Sequence, residues 1–203
     1  LPAFLPYKFV DHTHATPFLI LANLPNAREV CKEIFGGKLG IVPYIMPGFA
    51  LAKKAAEVFE QDPTVEGLIL LGHGHFAFGE TAKESYDQII SHTQAVADYL
   101  RIENPTNLFT RNPHAASHIF PIIRGLIGDM IGQNSPMPIM DLRNGKDELQ
   151  FLKRNDLEEL STRGTASPDH VIRIKSRPLI LREAIWSKGR EAIKQELDKY
   201  AEE

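Results

Sequence analysis

EGLILL, at residues 66–71, is the stretch that decides the fold class. A continuous apolar run of this length predicts a strand that is buried on both faces of a sheet. Helix patterns with an apolar stripe stand on either side of it, at residues 49–60 and, after a loop at 72–79, at about 80–101. With an earlier strand at 7–15, this alternation of strands and helices predicts an α/β layer architecture.

The pattern weakens beyond residue 102, where prolines interrupt it. We predict a core at residues 1–141 and a helical and extended appendage of the same domain at residues 142–203. The segments behind this prediction are a helix at 115–132 kinked at Pro121, a helix at 142–154 that Asp147 caps, a strand at 170–181 and a final helix at 182–203.

Composition excludes several function classes. The 203 residues are 43% hydrophobic and 24% charged, which is ordinary for a globular domain. The net charge of −3 predicts no broad attraction to nucleic acid or to an anionic membrane. No apolar run reaches the roughly 18 residues of a membrane span, and no signal-peptide pattern is visible. Cys31 is the one cysteine, so no internal disulfide forms, and we expect a cytoplasmic protein.

The first chemical motif is Asp11-His12-Thr13-His14. On a strand, His12 and His14 project to the same face, about 6–7 Å apart along the chain. This spacing is a common way to place two imidazoles on one metal ion. The alternative is structural, with one histidine in the core and the other bonded to a backbone group.

The second motif is Gly72-His73-Gly74-His75, at the end of the apolar strand. Its glycines allow close approach of backbone and ligand. If alternation continues from Ile69, His73 and His75 share a face. A catalytic zinc site takes three protein ligands and keeps a position open. His12 and His14, together with His73 or His75, would supply those ligands.

The same residues also fit a nucleotide-binding motif, because Gly72-x-Gly74-x-x-Ala77 matches a dinucleotide fingerprint. That fingerprint needs a helix that opens at the second glycine, whereas the helix pattern here begins near Glu80. We therefore favour the metal site.

The remaining histidines are weaker candidates. His114 and His118 have the i, i+4 spacing of a zinc protease but lack its glutamate. His92 lies at the polar boundary of the second helix, where core packing or solvent exposure is the simpler explanation. His170 follows the turn-forming run Ser-Pro-Asp and is a candidate site residue.

Three stretches together resemble the class II aldolase/adducin family: VDHTHA at 10–15, VPYIMPGFALAK at 42–53 and GLILLGHGHFAFGETAKESYDQI at 67–89. GTASPDHVIRIKSRPLIL at 164–181 is similar to the branch in which a rhamnulose-1-phosphate aldolase is fused to a short-chain dehydrogenase. The resemblance implies a three-layer α/β/α fold with a central mixed, largely antiparallel sheet.

The resemblance also implies the site. The ligands of a divalent metal, zinc in particular, fall on His12, His14 and His73. His75 departs from the family pattern and is a candidate for a fourth ligand or for a group that supports the ligands. His170 is a candidate for contact with substrate. The general acid/base of the family is a glutamate that would fall upstream of Leu1, so the catalytic residue is unknown and we expect an N-terminally incomplete domain.

The chemistry implied is retro-aldol cleavage of a ketose 1-phosphate through a metal-stabilised enediolate. Two other functions stay open on this fold: a non-catalytic scaffold of the adducin type and a sugar-phosphate epimerase. The retained histidines argue against the scaffold. The partners implied are a small sugar phosphate, further copies of the chain, as in a tetramer, and a fused or associated short-chain dehydrogenase domain.

Overall fold

The computed structural model describes residues 2–102, 118–132 and 134–203. The chain divides into two compact units. Unit 1 contains Leu1–Asn104 and Thr165–Lys175, and unit 2 contains Pro105–Gly164 and Ser176–Glu203. The predicted division at residues 141 and 142 was between a core and an appendage of one domain. It stays a prediction.

Unit 1 is built on a four-stranded sheet with the order β1-β4-β3-β2. The strands are β1 (Phe9–Thr13), β2 (Leu39–Val42), β3 (Gly67–Leu70) and β4 (Gly74–Gly79). β4 pairs antiparallel with both β1 and β3, and β2 pairs parallel with β3. The predicted mixed, largely antiparallel sheet is therefore confirmed.

The described helices follow in chain order. After a 3-10 turn at Pro2–Phe4 they are α1 (Thr16–Ala22), α2 (Ala27–Phe35), α3 (Phe49–Gln61), α4 (Ala82–Tyr99), α5 (Phe120–Ile131), α6 (Lys146–Leu152), α7 (Leu157–Ser161), α8 (Pro168–Val171), α9 (Glu183–Trp186) and α10 (Arg190–Glu202). None of these described helices combines the length and the apolar content that crossing a bilayer requires.

Helices cover both faces of the sheet in unit 1. On one face, Leu68, Leu70 and Phe78 pack with Ala55 and Phe59 of α3. On the other face, the buried cluster joins strand residues to α1, α2 and α4, and its members include Leu39, Ile69, Phe18, Leu21, Val30, Phe35 and Val96. β3 is buried at every position, as the run EGLILL predicts. The predicted three-layer α/β/α fold is confirmed for this unit.

The sequence prediction of a loop at 72–79 is wrong. The chain turns at 71–73 and returns as β4, which lies inside the sheet between β1 and β3. Glycine at position 67 permits this pairing, since a Cβ there would lie 2.4 Å from the Phe76 carbonyl oxygen. Gly72, with a φ of +66°, supplies the left-handed backbone of the turn.

Unit 2 differs from the predictions in more places. Its described core joins Leu126 of α5 to Ile193 and Leu197 of α10. Pro121 lies in the first turn of α5, where its missing N–H costs nothing, so it does not kink the helix. Residues 115–117 of that predicted helix lie outside the described residues.

Three further corrections concern the C-terminal part of the chain. Asp147 lies in the first turn of α6 rather than at its cap, which is Gly145. The strand predicted at 170–181 is wrong, because the chain there forms α8 and then irregular structure. The final helix is divided into α9 and α10, with Gly189 at a φ of +92° between them.

Candidate metal centre

Three imidazoles converge at one end of the sheet in unit 1. His12 lies in β1, His14 follows the end of that strand, and His73 lies in the turn before β4. The Nε2 atom of His12 is 2.9 Å from Nε2 of His14 and 3.2 Å from Nε2 of His73. One ring nitrogen from each lies within 4.8 Å of the others, which makes this a group able to hold a metal ion. We call these residues the histidine cluster.

Hydrogen bonds fix the ring protons of two members of the cluster. His12 donates Nδ1–H to the carbonyl oxygen of His75 at 2.9 Å, and His14 donates Nδ1–H to Oδ2 of Asp169 at 2.6 Å. A carbonyl only accepts, so Nδ1 of His12 must carry the proton. When these rings are neutral, their Nε2 lone pairs face the centre of the cluster.

Loss of water around the rings keeps two members of the cluster, His12 and His73, unprotonated. Loss of water around the ring lowers the pKa of His12 to about 4, although part of the residue remains exposed. Burial also lowers the pKa of His73, and the nearby His14 adds to that shift. His12 and His73 are therefore neutral at pH 7, in the form that coordinates a metal.

This arrangement fits a divalent cation. Neutral lone pairs about 3 Å apart repel one another unless a positive charge lies between them. Zn–N bonds of about 2.05 Å in a tetrahedral site place nitrogens roughly 3.3 Å apart, close to the separations in the cluster. A neutral His73 that carries its proton on Nε2 and donates it to Nε2 of His12 at 3.2 Å is another arrangement that would relieve the repulsion between those two atoms.

Gly74 and Phe76 shape the pocket of His12 and His14. A Cβ at Gly74 would lie 2.7 Å from the carbonyl oxygen of Thr13 and 2.8 Å from Cδ2 of His14. It would also lie 3.2 Å from Cε1 of His12. The ring of Phe76 stacks on the ring of His12, with centroids 4.1 Å apart and planes 13° apart. The glycine is required because the two imidazoles occupy the space of its side chain.

His75 does not join the cluster through its side chain. The turn between β3 and β4 breaks the alternation, so the prediction that His73 and His75 share a face is wrong. The His75 ring is fully buried against Phe18, and its Nε2 lies 3.2 Å from Nδ1 of His92. Only the backbone carbonyl of His75 supports a member of the cluster, namely His12.

The other described histidines are not members of the cluster. His92 is buried, in agreement with core packing. His118 stacks edge-on against Trp186 in unit 2, and His114 lies outside the described residues. His170 is hydrogen-bonded through Nδ1 to Oγ of Ser167 at 2.6 Å, and its contact with a substrate stays a prediction.

Asp169 is the site residue that the sequence reasoning missed. It lies in the Thr165–Lys175 part of unit 1 and contacts His14 across 155 residues of chain. The bond from His14 lowers the pKa of the Asp169 carboxyl below its usual value, so the group is ionised at neutral pH. Sequence reasoning named the neighbouring His170, which follows a turn-forming run, as a candidate for contact with substrate. No spacing rule relates position 169 to position 14.

Two family models match nearly all of the chain. Residues 3–100 match the class II aldolase and adducin N-terminal domain, and residues 114–203 match the class II aldolase second domain. The chain belongs to the class II aldolase/adducin family, as the sequence resemblance predicted.

The curated and solved relatives are similar to parts of this chain. The uncharacterized oxidoreductase YuxG of Bacillus subtilis (strain 168) is 30% identical over an alignment of 192 residues, and the match covers 89% of this chain and 27% of that protein. The chain thus spans about a quarter of the length of that relative.

Among solved structures, one is the N-terminal class II aldolase domain of a conserved protein from Thermoplasma acidophilum. It is 38% identical, with 49% of this chain and 46% of that chain covered and a TM-score of 0.45. A sugar-phosphate aldolase from Thermotoga maritima is 26% identical, with 47% of each chain covered and a TM-score of 0.40.

Proposed function

We propose that this chain is the metal-binding part of a class II aldolase that cleaves a ketose 1-phosphate of the rhamnulose-1-phosphate type. The observation that carries the proposal is the convergence of three imidazole Nε2 atoms within a family that includes aldolases. The similarity of residues 164–181 to the rhamnulose-1-phosphate aldolase branch supports the choice of substrate.

His12, His14 and His73 would hold the ion, and zinc suits three imidazole nitrogens well. A divalent ion bound there supplies Lewis-acid stabilisation of the negative charge that develops as the C3–C4 bond of the sugar breaks. The three imidazoles are uncharged ligands, so they leave the full positive charge of the site available. The bonds of His12 to the His75 carbonyl and of His14 to Asp169 hold both rings in the coordinating orientation.

The proton-transfer residue is not assigned to this chain. The family resemblance implies a glutamate in that role, and this stays a prediction. Cleavage between C3 and C4 of a hexulose 1-phosphate yields dihydroxyacetone phosphate and a three-carbon aldehyde. One group must therefore take the C4 hydroxyl proton as C4 becomes the aldehyde, and one must protonate C3 of the other fragment, which becomes dihydroxyacetone phosphate.

A dehydrogenase partner and an oligomer complete the proposal. The matched relative is called an oxidoreductase, and the matched region is 27% of it. Both facts support a link, in one polypeptide or in a complex, between this aldolase part and a short-chain dehydrogenase domain. Assembly into a tetramer is a separate proposal, for which light scattering on the purified protein gives the mass directly.

Metal analysis tests the proposed site. We expect about one zinc per chain in the purified, dialysed protein and almost none in the His12→Ala/His14→Ala double variant. The matched control is His118→Ala, which removes a histidine of unit 2 and should keep the metal. A native protein that binds no divalent metal, even after supplementation, would overturn the proposed function.

A product assay then separates the candidate activities. The native, full-length protein with zinc should release dihydroxyacetone phosphate from rhamnulose 1-phosphate. Conversion of the ketose phosphate to a stereoisomer, with no three-carbon product, would identify an epimerase instead. A protein that holds zinc and turns over neither would favour the adducin-like scaffold.

A further inference from the structure

The segment Thr165–Lys175, here called the returning segment, belongs to unit 1, although its neighbours on both sides belong to unit 2. It contains α8, which is capped by Ser167 through a bond from the His170 backbone N–H at 3.4 Å. Ser167 is buried, but residues 169–175 are all exposed. The segment therefore buries little apolar surface, so its attachment to the rest of unit 1 depends on its polar contacts.

The contact that joins this segment to the histidine cluster is the bond from His14 to Asp169. The two atoms, Nδ1 and Oδ2, are 2.6 Å apart, and the side chains are 20% and 57% exposed. An exposed pair of this kind contributes little in isolation. A cation on the opposite nitrogen of the same ring changes this, because it draws electron density from the imidazole and makes Nδ1–H a stronger donor.

We propose that Asp169 is a positioning residue for His14, and that metal binding at the histidine cluster and docking of the returning segment strengthen one another. The proposal rests on the metal site of the proposed function and assigns Asp169 no contact with substrate. Docking of the segment then depends on whether metal is bound, because the same hydrogen bond orients His14 and holds the segment.

The size of the coupling follows from known carboxylate–histidine–metal arrangements. Removal of such an outer partner typically weakens metal binding by about 10–100-fold. Linkage between two binding equilibria is reciprocal, so metal binding should shift the docking equilibrium of the segment by the same factor. A role of Asp169 in folding alone would produce neither the affinity change nor the metal dependence.

Zinc affinity, measured by competition with a chromophoric chelator, is the first test. We expect Asp169→Ala to bind zinc about 10–100-fold more weakly than the native protein. Asp169→Asn should fall between them, because its amide oxygen still accepts from His14 but carries no charge. The matched control is Asp87→Ala in α4, since Asp87 is also ion-paired and its side chain is 55% exposed. Unchanged zinc affinity in Asp169→Ala would overturn the inference.

Hydrogen exchange of peptides that cover the returning segment is the second test. Zinc should slow exchange there in the native protein and in Asp87→Ala, and should have no such effect in Asp169→Ala at zinc concentrations that saturate the variant. If zinc protected the returning segment equally in Asp169→Ala and in the native protein, the coupling would be overturned, although the proposed metal site would not. A native protein that binds no zinc would overturn the proposed function and this inference together.

Discussion

The ring of His75 lies parallel to the ring of Phe18, with centroids 4.0 Å apart and planes 2° apart. The residue is fully buried, and its Nδ1 has no hydrogen-bond partner in the described part of the chain. An imidazole in these surroundings is held neutral. Burial lowers the pKa of His75 to about 2, and the neighbouring His92 adds to the shift.

We expect this buried histidine to make the fold sensitive to acid. In the unfolded chain His75 titrates near pH 6.5, so below that value the unfolded state binds more protons than the folded state. The stabilisation is therefore complete above about pH 6.5 and falls as the pH drops. Its contribution at pH 5 should be about 2 kcal/mol lower than at pH 8. Urea unfolding in the presence of a chelator measures this.

The variant His75→Leu isolates that contribution. It removes the titrating group and keeps an apolar side chain against Phe18, so the fall in unfolding free energy between pH 8 and pH 5 should be smaller than in the native protein. An unchanged slope in His75→Leu would show that His75 is not held neutral.

We expect Gly74→Ala to damage the histidine cluster specifically. The added methyl would collide with the Thr13 carbonyl and with the ring of His14, and relief of such overpacking typically costs about 1–3 kcal/mol. Zinc affinity should fall with the displacement of the rings. Gly37→Ala is the control, because nothing lies within 4 Å of its Cβ position. Equal zinc affinities for the two variants would contradict the packing described here.

Cys31 should be inert in the folded protein. It is 1% exposed in α2, and burial raises the pKa of its thiol to about 11. Because the thiolate is the reactive form, a disulfide reagent at pH 8 should label it only after denaturation. The same reaction serves as a check of folding for every variant above. Rapid labelling of the native protein would mean that α2 does not pack as described.

Thr81→Ala should weaken the start of α4 by about 1 kcal/mol. The Thr81 hydroxyl accepts from the Glu84 backbone N–H at 3.1 Å, which satisfies one donor of the first helical turn. Ser91→Ala in the middle of the same helix is the control, since the Ser91 hydroxyl bonds only to the carbonyl of Gln88 among its described contacts. In thermal unfolding, Thr81→Ala should lose more stability than Ser91→Ala. An equal loss of stability in the two variants would exclude capping as the cause.

The sheet was predictable where the sequence contains a continuous apolar run. EGLILL reads as a strand because its burial is continuous, and β3 occupies residues 67–70 of it. β4 was missed because its glycines and histidines are typical of loops, although Phe76 and Phe78 alternate within it. Glycine there reflects close packing of backbone against carbonyl and imidazole, which is a tertiary requirement that no local propensity contains.

The members of the histidine cluster were predictable from the sequence, whereas the groups that support them were not. The HxH spacing selects His12 and His14, because short-range geometry governs those positions. The glycines at the strand end leave His73 and His75 as alternatives, and the family resemblance implies His73. The opposite orientation of His75 depends on where the chain turns, and a shift of one residue in that turn reverses the face. Asp169 depends on a contact between distant parts of the chain, so only a three-dimensional structure places it beside His14.

The path of the returning segment has a consequence for the order of synthesis. Asp169 is added to the growing chain 155 residues after His14, by which time every strand of the sheet has been made. The three imidazoles can assemble while the ribosome is still translating, before the carboxylate of Asp169 has been added. Under the proposed coupling, nascent protein would pass through a stage that binds metal weakly, and translation of the returning segment would convert it to the tightly binding form.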